Sequence, residues 1–182
     1  ADHLADLGHR DIAFIGYSTG VYHRHATYAE RTLTGFHDRA HHRGLRYLHR
    51  PCEGTHDSTA ATLARILADR PDTTAFVVQN EGAIGPLLSL LRTSGRTVPE
   101  DASVIALCTE QLAEQHAPRL TAVTGPTQEL GRTAVEQVIN RITATARGET
   151  PEDQLVLLTP VLTVRESTGP APRHSTVPHS QP

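Results

Sequence analysis

The chain has 182 residues, with seventeen basic against twenty acidic side chains and a net charge of −3. Every basic one is Arg, and the balance excludes a strongly basic, phosphate-gripping footprint on this chain. No apolar run approaches the roughly 20 residues that span a bilayer, and no signal h-region is present.

In chain order, Ala1–Leu7 reads as a helix already in progress, and Met is absent, so a segment upstream is expected. Ile12–Ile15 reads as a buried strand framed by Gly8 and Gly16. Thr27–Arg43 follows as a helix, with Leu33, Phe36, His37 and Ala40 on one face and Gly44 ending it. Leu45–His49 is a weaker strand. Ser58–Arg70 is a helix with Asp57 or Ser58 as its N-cap and Pro71 just past its end.

Ala75–Val78 is the third strand, Gly82–Thr93 a helix and Val104–Leu107 the fourth strand. Thr121–Val123 is a short strand. Gly125-Pro126 then opens a long helix to about Arg147, striped by Leu130, Ala134, Val135, Val138, Ile139 and Ile142. Leu155–Leu158 and Val161–Val164 are expected as two closing strands. The Pro-, Ser- and His-rich residues from Thr168 to Pro182 are expected to be disordered. Strands spaced by helices of this length predict an α/β fold, a parallel sheet with helices on both faces. In such sheets ligands sit beyond the carboxyl ends of the strands. Asn80 and Glu81 occupy one such end and Cys108 the next.

Several patterns invite chemistry. Gly16-Tyr17-Ser18-Thr19-Gly20 matches GxSxG after a strand, the pattern of a hydrolase nucleophile elbow. An α/β hydrolase using Ser18 is one alternative. Too little chain precedes Ser18 for the strand that completes an oxyanion hole, and the next helix does not begin at once because VYHRHA intervenes, so a glycine-bounded loop is the favoured reading. His23 and His25 form HxH, and His37 and His41 stand one helical turn apart. Zinc needs a third ligand, and the twelve histidines supply no complete motif, so neither metal nor cofactor is expected. Cys52 and Cys108 lack CxxC or CxxH spacing, which suits a reduced, cytoplasmic chain. Asn80-Glu81 can cap the following helix or hydrogen-bond a polar ligand. Arg31 is either a solvated charge or a forked donor facing the same crevice.

Leu4–Gly16 (LADLGHRDIAFIG), Gly35-Phe36, Val77–Leu91 (VVQNEGAIGPLLSLL), Gly95–Leu107, Leu120–Val135 and Leu157–Thr168 (LLTPVLTVREST) together resemble the LacI/GalR transcriptional regulators. The resemblance covers about Ala1–Thr168. It implies a two-lobed, periplasmic-binding-protein-like (type I) effector domain behind an N-terminal helix-turn-helix. On that reading residues 1–119 form the second lobe, and 120–150 are a crossover strand and helix that pack on the first lobe. Residues 151–167 are closing strands, with 168–182 a tail. A periplasmic binding protein is a further alternative.

The resemblance also implies ligand-binding positions. Arg31 is the nearest match to the family's arginine before Gly-Phe, four residues before Gly35 where three is usual. One helical residue is about 100° of rotation. His56 falls where an effector-stacking aromatic is frequent. Asn80 matches a cleft asparagine, and Glu81 stands where Asp is usual. Cys108-Thr109 replaces the acid that normally follows the strand. Tyr17 opens a long loop, Tyr17–Ala29, at the mouth of the cleft. The implied partners are a small polar effector, operator DNA through an upstream headpiece, and a second copy of the chain paired through Ser58–Arg70 and Gly82–Arg92. No membrane and no enzymatic activity are expected.

Overall fold

The computed structural model describes residues 1–151 and 153–172. Its elements run α1 (Asp2–Asp6), β1 (Asp11–Gly16), α2 (Thr19–His23), α3 (Thr27–His42), β2 (Arg46–Pro51), α4 (His56–Asp69) and β3 (Ala75–Val78). They continue with α5 (Ile84–Thr93), β4 (Ser103–Leu107), α6 (Glu110–Gln115), β5 (Thr121–Thr124), α7 (Thr127–Ala146) and β6 (Val161–Thr163). A short 3-10 turn, Glu81–Ala83, joins β3 to α5.

One six-stranded sheet, in the order β2-β1-β3-β4-β5-β6, organises the chain. The first five strands are parallel, and β6 closes the edge antiparallel to β5. Successive strand residues point to opposite faces, so the apolar runs feed two cores. Ala13, Ile15, Phe76, Val78, Val104 and Ala106 meet α4 and α5 on one face. Ile12, Phe14, Val77 and Ile105 meet α1 and α3 on the other. This double burial is why the central strands read as continuous apolar runs rather than alternating ones.

Local chemistry moves some boundaries. The N-cap of α4 is Thr55, not Asp57 or Ser58: the Thr55 hydroxyl accepts from Ser58 N at 3.2 Å, and the Ser58 hydroxyl accepts from Thr55 N at 3.1 Å. Gly54, at φ +83°, turns the chain so that Thr55 can take that position. His37 is exposed rather than on the core face, with its ring edge-on to Tyr47 and Nδ1 3.1 Å from Asp38. Leu155–Leu158 forms no strand, and three of these four side chains are exposed. Without a neighbouring strand, an apolar run alone does not make a ladder. Thr168–Pro172, expected to be disordered, packs instead. Gly169 is buried, and Ala171 N donates to Leu7 O at 2.8 Å. The rest of the expected tail, 173–182, lies outside the described residues.

The stripe on α7 is present and uncovered. Leu130, Val135, Val138, Ile139 and Ile142 are each more than half exposed, and the helix buries no residue. Among the described residues, no helix is long and apolar enough to cross a membrane.

Candidate functional site

The carboxyl ends of β1, β3 and β4 lie side by side, because Ile15 pairs with Val78 and Val78 with Ala106. The residues that leave those ends therefore share one edge of the sheet. Tyr17 follows β1, Gln79, Asn80 and Glu81 follow β3, and Cys108 follows β4.

Tyr17 is half-buried and stands edge-on to Tyr28 of α3, with ring centroids 5.6 Å apart at 84°. Burial pushes its hydroxyl above the usual tyrosine range, with smaller contributions from Tyr28 and the Glu81 carboxylate. Cys108 is buried, and its thiol is pushed up to about 11, first by burial and then by Glu81, with Arg165 opposing. Glu81 itself is exposed. It thus acts electrostatically on both Tyr17 and Cys108, and these three groups stand together at this edge with Glu81 the exposed one. Their inventory is one phenol, one carboxylate and one thiol held in its neutral form.

Asn80 is engaged differently. Its Nδ2 donates to Cys52 O at 2.8 Å, and its Oδ1 accepts from Gly82 N at 3.1 Å, capping the turn. One amide hydrogen and one oxygen lone pair remain for anything else. The surroundings are tight: a Cβ on Gly54 would stand 3.0 Å from both Asn80 amide atoms, and one on Gly82 would stand 3.0 Å from Gly54 O. Cys52 closes the same corner. Burial pushes its thiol up, but hydrogen bonds from Thr59, the Gly54 N–H and Ser58 outweigh this and bring it below the ordinary range.

Arg31 and His56 are not drawn into this cluster. Arg31 is exposed on α3, and His56 is exposed at the first turn of α4, its Nδ1 3.6 Å from Asp57. Two concavities of about 390 and 340 Å³ are lined by none of these side chains. The first runs between α5 and His116–Pro118. The second lies on the open sheet face beside Phe14, Phe36 and Leu107.

Gln79 was not singled out by its sequence context. It is buried, its Nε2 donates to Ala29 O at 3.2 Å, and its Oε1 accepts from the Tyr22 hydroxyl at 2.8 Å. It ties the loop after β1 to the end of β3. Its position directly after an apolar strand was the available signal. Two short helices also went unpredicted. Thr109, whose hydroxyl accepts from Leu112 N at 3.3 Å, caps α6 and supplied a readable start. The helix α2 begins directly after Ser18, correcting the expectation that helix is absent there. Ser18 has φ −60° and ψ 154°, ordinary extended backbone rather than a strained elbow.

Compared with known proteins, residues 1–168 match the periplasmic binding protein-like domain. The HTH-type transcriptional regulator CelR of Thermobifida fusca is 36% identical over 110 residues, 60% of this chain and 31% of CelR. The HTH-type transcriptional regulator DegA of Bacillus subtilis (strain 168) is 32% identical over 179 residues, 93% of this chain and 48% of DegA. A solved complex of the transcriptional regulator CelR with cellobiose superimposes with a TM-score of 0.73 at 32% identity, over 91% of this chain and 49% of its own. The dimeric Lac repressor reaches a TM-score of 0.75 at 23% identity, over 94% of this chain and 59% of its own, a likeness of fold alone. The chain spans about half, or less, of the curated relatives it matches, and these are named as transcriptional regulators. With the domain matched over 1–168 and the six-stranded sheet in place, the chain belongs to the periplasmic binding protein-like domain family, in the form carried by LacI/PurR-type regulators.

Proposed function

We propose that this chain is the effector-sensing and dimerisation part of a DNA-binding transcriptional regulator, not an enzyme, working in the cytoplasm. A small polar ligand rests on the carboxyl edge of β1, β3 and β4 and is enclosed by the first lobe. The observation that carries this reading is the cluster of Tyr17, Glu81 and Cys108 at that edge, next to an Asn80 amide locked by Cys52 and Gly82.

The exposed stripe of α7 supports the lobe assignment, with 1–119 as the second lobe and 120–150 as the crossover that packs on the first. Burying it would remove several large aliphatic side chains from water, each worth about 1.5–3 kcal/mol on full burial. Homodimerisation through α4 and α5 is supported by the side-by-side packing of these helices and by the groove along Gly85, Leu88, Ser89 and Arg92. Operator DNA would be read by a headpiece outside this chain. The ligand then changes DNA affinity by no more than its own differential affinity for the two lobe arrangements.

The chemistry narrows the ligand. Cys108, held neutral, is a weak acceptor, so Glu81 is the carboxylate that takes hydroxyl or amine hydrogens. Tyr17 and Tyr28 supply ring surface for an apolar ligand face. The CelR structure solved with cellobiose supports a sugar-like ligand. Arg31 and His56 enter the site only if the first lobe or the ligand draws them inward.

A thermal-shift screen of sugars, sugar acids, nucleosides and purines tests this reading. A ligand at a hundredfold excess over Kd stabilises the protein by about 2.7 kcal/mol. The expected result is a hit that Glu81→Gln weakens and Ser18→Ala leaves unchanged. A hit unaffected by both Glu81→Gln and Tyr17→Phe overturns the placement of the site. Ester turnover lost on Ser18→Ala overturns the function.

A further inference from the structure

Two of the motifs quoted above, Leu4–Gly16 and Gly95–Leu107, meet far from the ligand edge, at a side chain the proposed function does not use. His9 is fully buried at the end of the sheet where the parallel strands begin. Gly8, at φ +92°, turns the chain out of α1, and His9 N donates to Leu4 O at 3.0 Å. The ring then reaches three segments. Nδ1 lies 2.8 Å from the Thr74 hydroxyl, and Nε2 lies 2.9 Å from the Ser103 hydroxyl and 3.1 Å from Gly169 O.

Those contacts assign the tautomer. A carbonyl oxygen can only accept, so Nε2 carries the hydrogen and Nδ1 accepts from Thr74. Ser103 Oγ in turn accepts from Gly169 N at 3.0 Å. Neutral His9 is therefore fully satisfied. A second proton on Nδ1 would force the Thr74 hydroxyl to turn from donor to acceptor and place a cation in a fully buried site.

Among the described residues, the charged groups on the segments packed around it are held elsewhere, apart from Asp72, which is exposed two residues before Thr74. Asp11 of β1 is held by Arg46 and Arg70. Ahead of β4, Arg96 donates to Thr73 O, and Asp101 accepts from Thr97 N. Glu166 is taken by Arg119. His3 of α1 adds a second titrating ring, its Nε2 2.9 Å from the Thr168 hydroxyl.

The segment His9 holds is a strap, Arg165–Pro172, that crosses the strand starts of β4 and β5. Ser167 bridges Val104 O at 2.6 Å and Thr121 N at 2.8 Å. Thr168 reaches Thr121 Oγ1 at 2.8 Å, and Ala171 N reaches Leu7 O at 2.8 Å. The strap follows β6 directly, so its release loosens the edge strand that α7 precedes.

We propose that His9 is the acid-sensitive catch of this strap: neutral, it fastens Gly169 to Thr74 and Ser103, and its protonation releases the segment Arg165–Pro172. The direction of titration agrees. Burial first, and then His3, lowers the His9 pKa against the opposing Gly169 bond. A histidine lowered on folding contributes stability that is complete above its ordinary value near 6.5. That contribution is lost as pH falls from there through the folded value.

Hydrogen exchange on the 182-residue chain tests this, read over Arg165–Pro172 at pH 7.5 and pH 5 after correction for intrinsic rates. The expected result is a loss of protection of about tenfold for each unit by which the His9 pKa is lowered. His9→Gln, which can donate to Gly169 O but cannot take up the proton, should abolish the acid response. His3→Gln should leave it in place. Equal protection at both pH values, or an unchanged acid response in His9→Gln, overturns the proposal. If His9→Gln does not fold, NMR titration of the His9 ring in the unsubstituted chain decides. Proton uptake together with strap exchange supports the catch, and uptake without exchange overturns it.

Discussion

The parallel platform β1–β5 and the arm that follows it, Thr127–Val164, are built from the same kinds of residue and meet opposite fates. In the platform, Phe14, Phe76, Ile66 and Leu87 are fully buried between sheet and helices. In the arm, Leu130, Val138, Ile142, Leu155 and Leu157 are all exposed. Both α5 and α7 carry an apolar stripe at helical spacing, so the stripe alone does not separate them. What differs is whether a complementary surface exists on the same chain. An amphipathic stripe is a demand for cover, and the platform meets its own demand while the arm does not.

The sharpest way to break this comparison is to truncate side chains in both regions. Phe76→Ala in the platform should cost about 3–5 kcal/mol in urea unfolding, from lost burial plus the cavity left behind. The same truncation in the arm, Ile142→Ala, should stay within about 0.5 kcal/mol in the monomer, as for exposed sites generally. Equal costs would mean that the arm is packed in solution.

Gly54→Ala comes next. It forces a positive φ on a residue with a Cβ and pushes that Cβ against the Asn80 amide, so a loss of about 1–3 kcal/mol is expected in thermal unfolding. Any ligand shift found in the screen should fall with it, because Asn80 and the turn to Glu81 would move. Thr55→Ala removes the α4 cap and should cost about 1 kcal/mol by the same measurement without altering ligand specificity.

The arm can also be tested through association. Val138→Asp with Ile142→Asp should lower any concentration-dependent self-association of this chain seen by light scattering, while unfolding of the platform stays unchanged. The smallest expected effect concerns the thiols. With Cys108 pushed up to about 11 and Cys52 brought down by its donors, slow alkylation at pH 8 should label Cys52 first. Labelling of Cys108 first would show that the carboxyl edge opens more readily than the α4 corner.

Much of the fold was legible because the signals are local. Ala75–Val78 is bounded as a strand by its own apolar run, and Gly44 and Gly95 mark the ends of helices α3 and α5 through their positive φ. The misreadings share a cause. Leu155–Leu158 has a strand's composition but no neighbour, and His37 fits the helical face of Phe36 yet turns toward Tyr47. Thr168–Pro172 has a linker's composition, but His9, Ser103 and Leu7 give its backbone partners.

At the candidate site the division is sharper. Sequence by itself determined that Tyr17, Asn80, Glu81 and Cys108 stand at strand ends, since that follows from where each apolar run stops. Tertiary structure alone decided which of them is free. Asn80 is bound to Cys52 across 28 residues of chain, and His9 to Gly169 across 160. Glu81, by contrast, remains exposed beside Tyr17 and Cys108. The reason is physical. Strand and helix formation are set by side-chain period within a few residues, whereas the satisfaction of a polar group depends on what the fold carries to it from a distance.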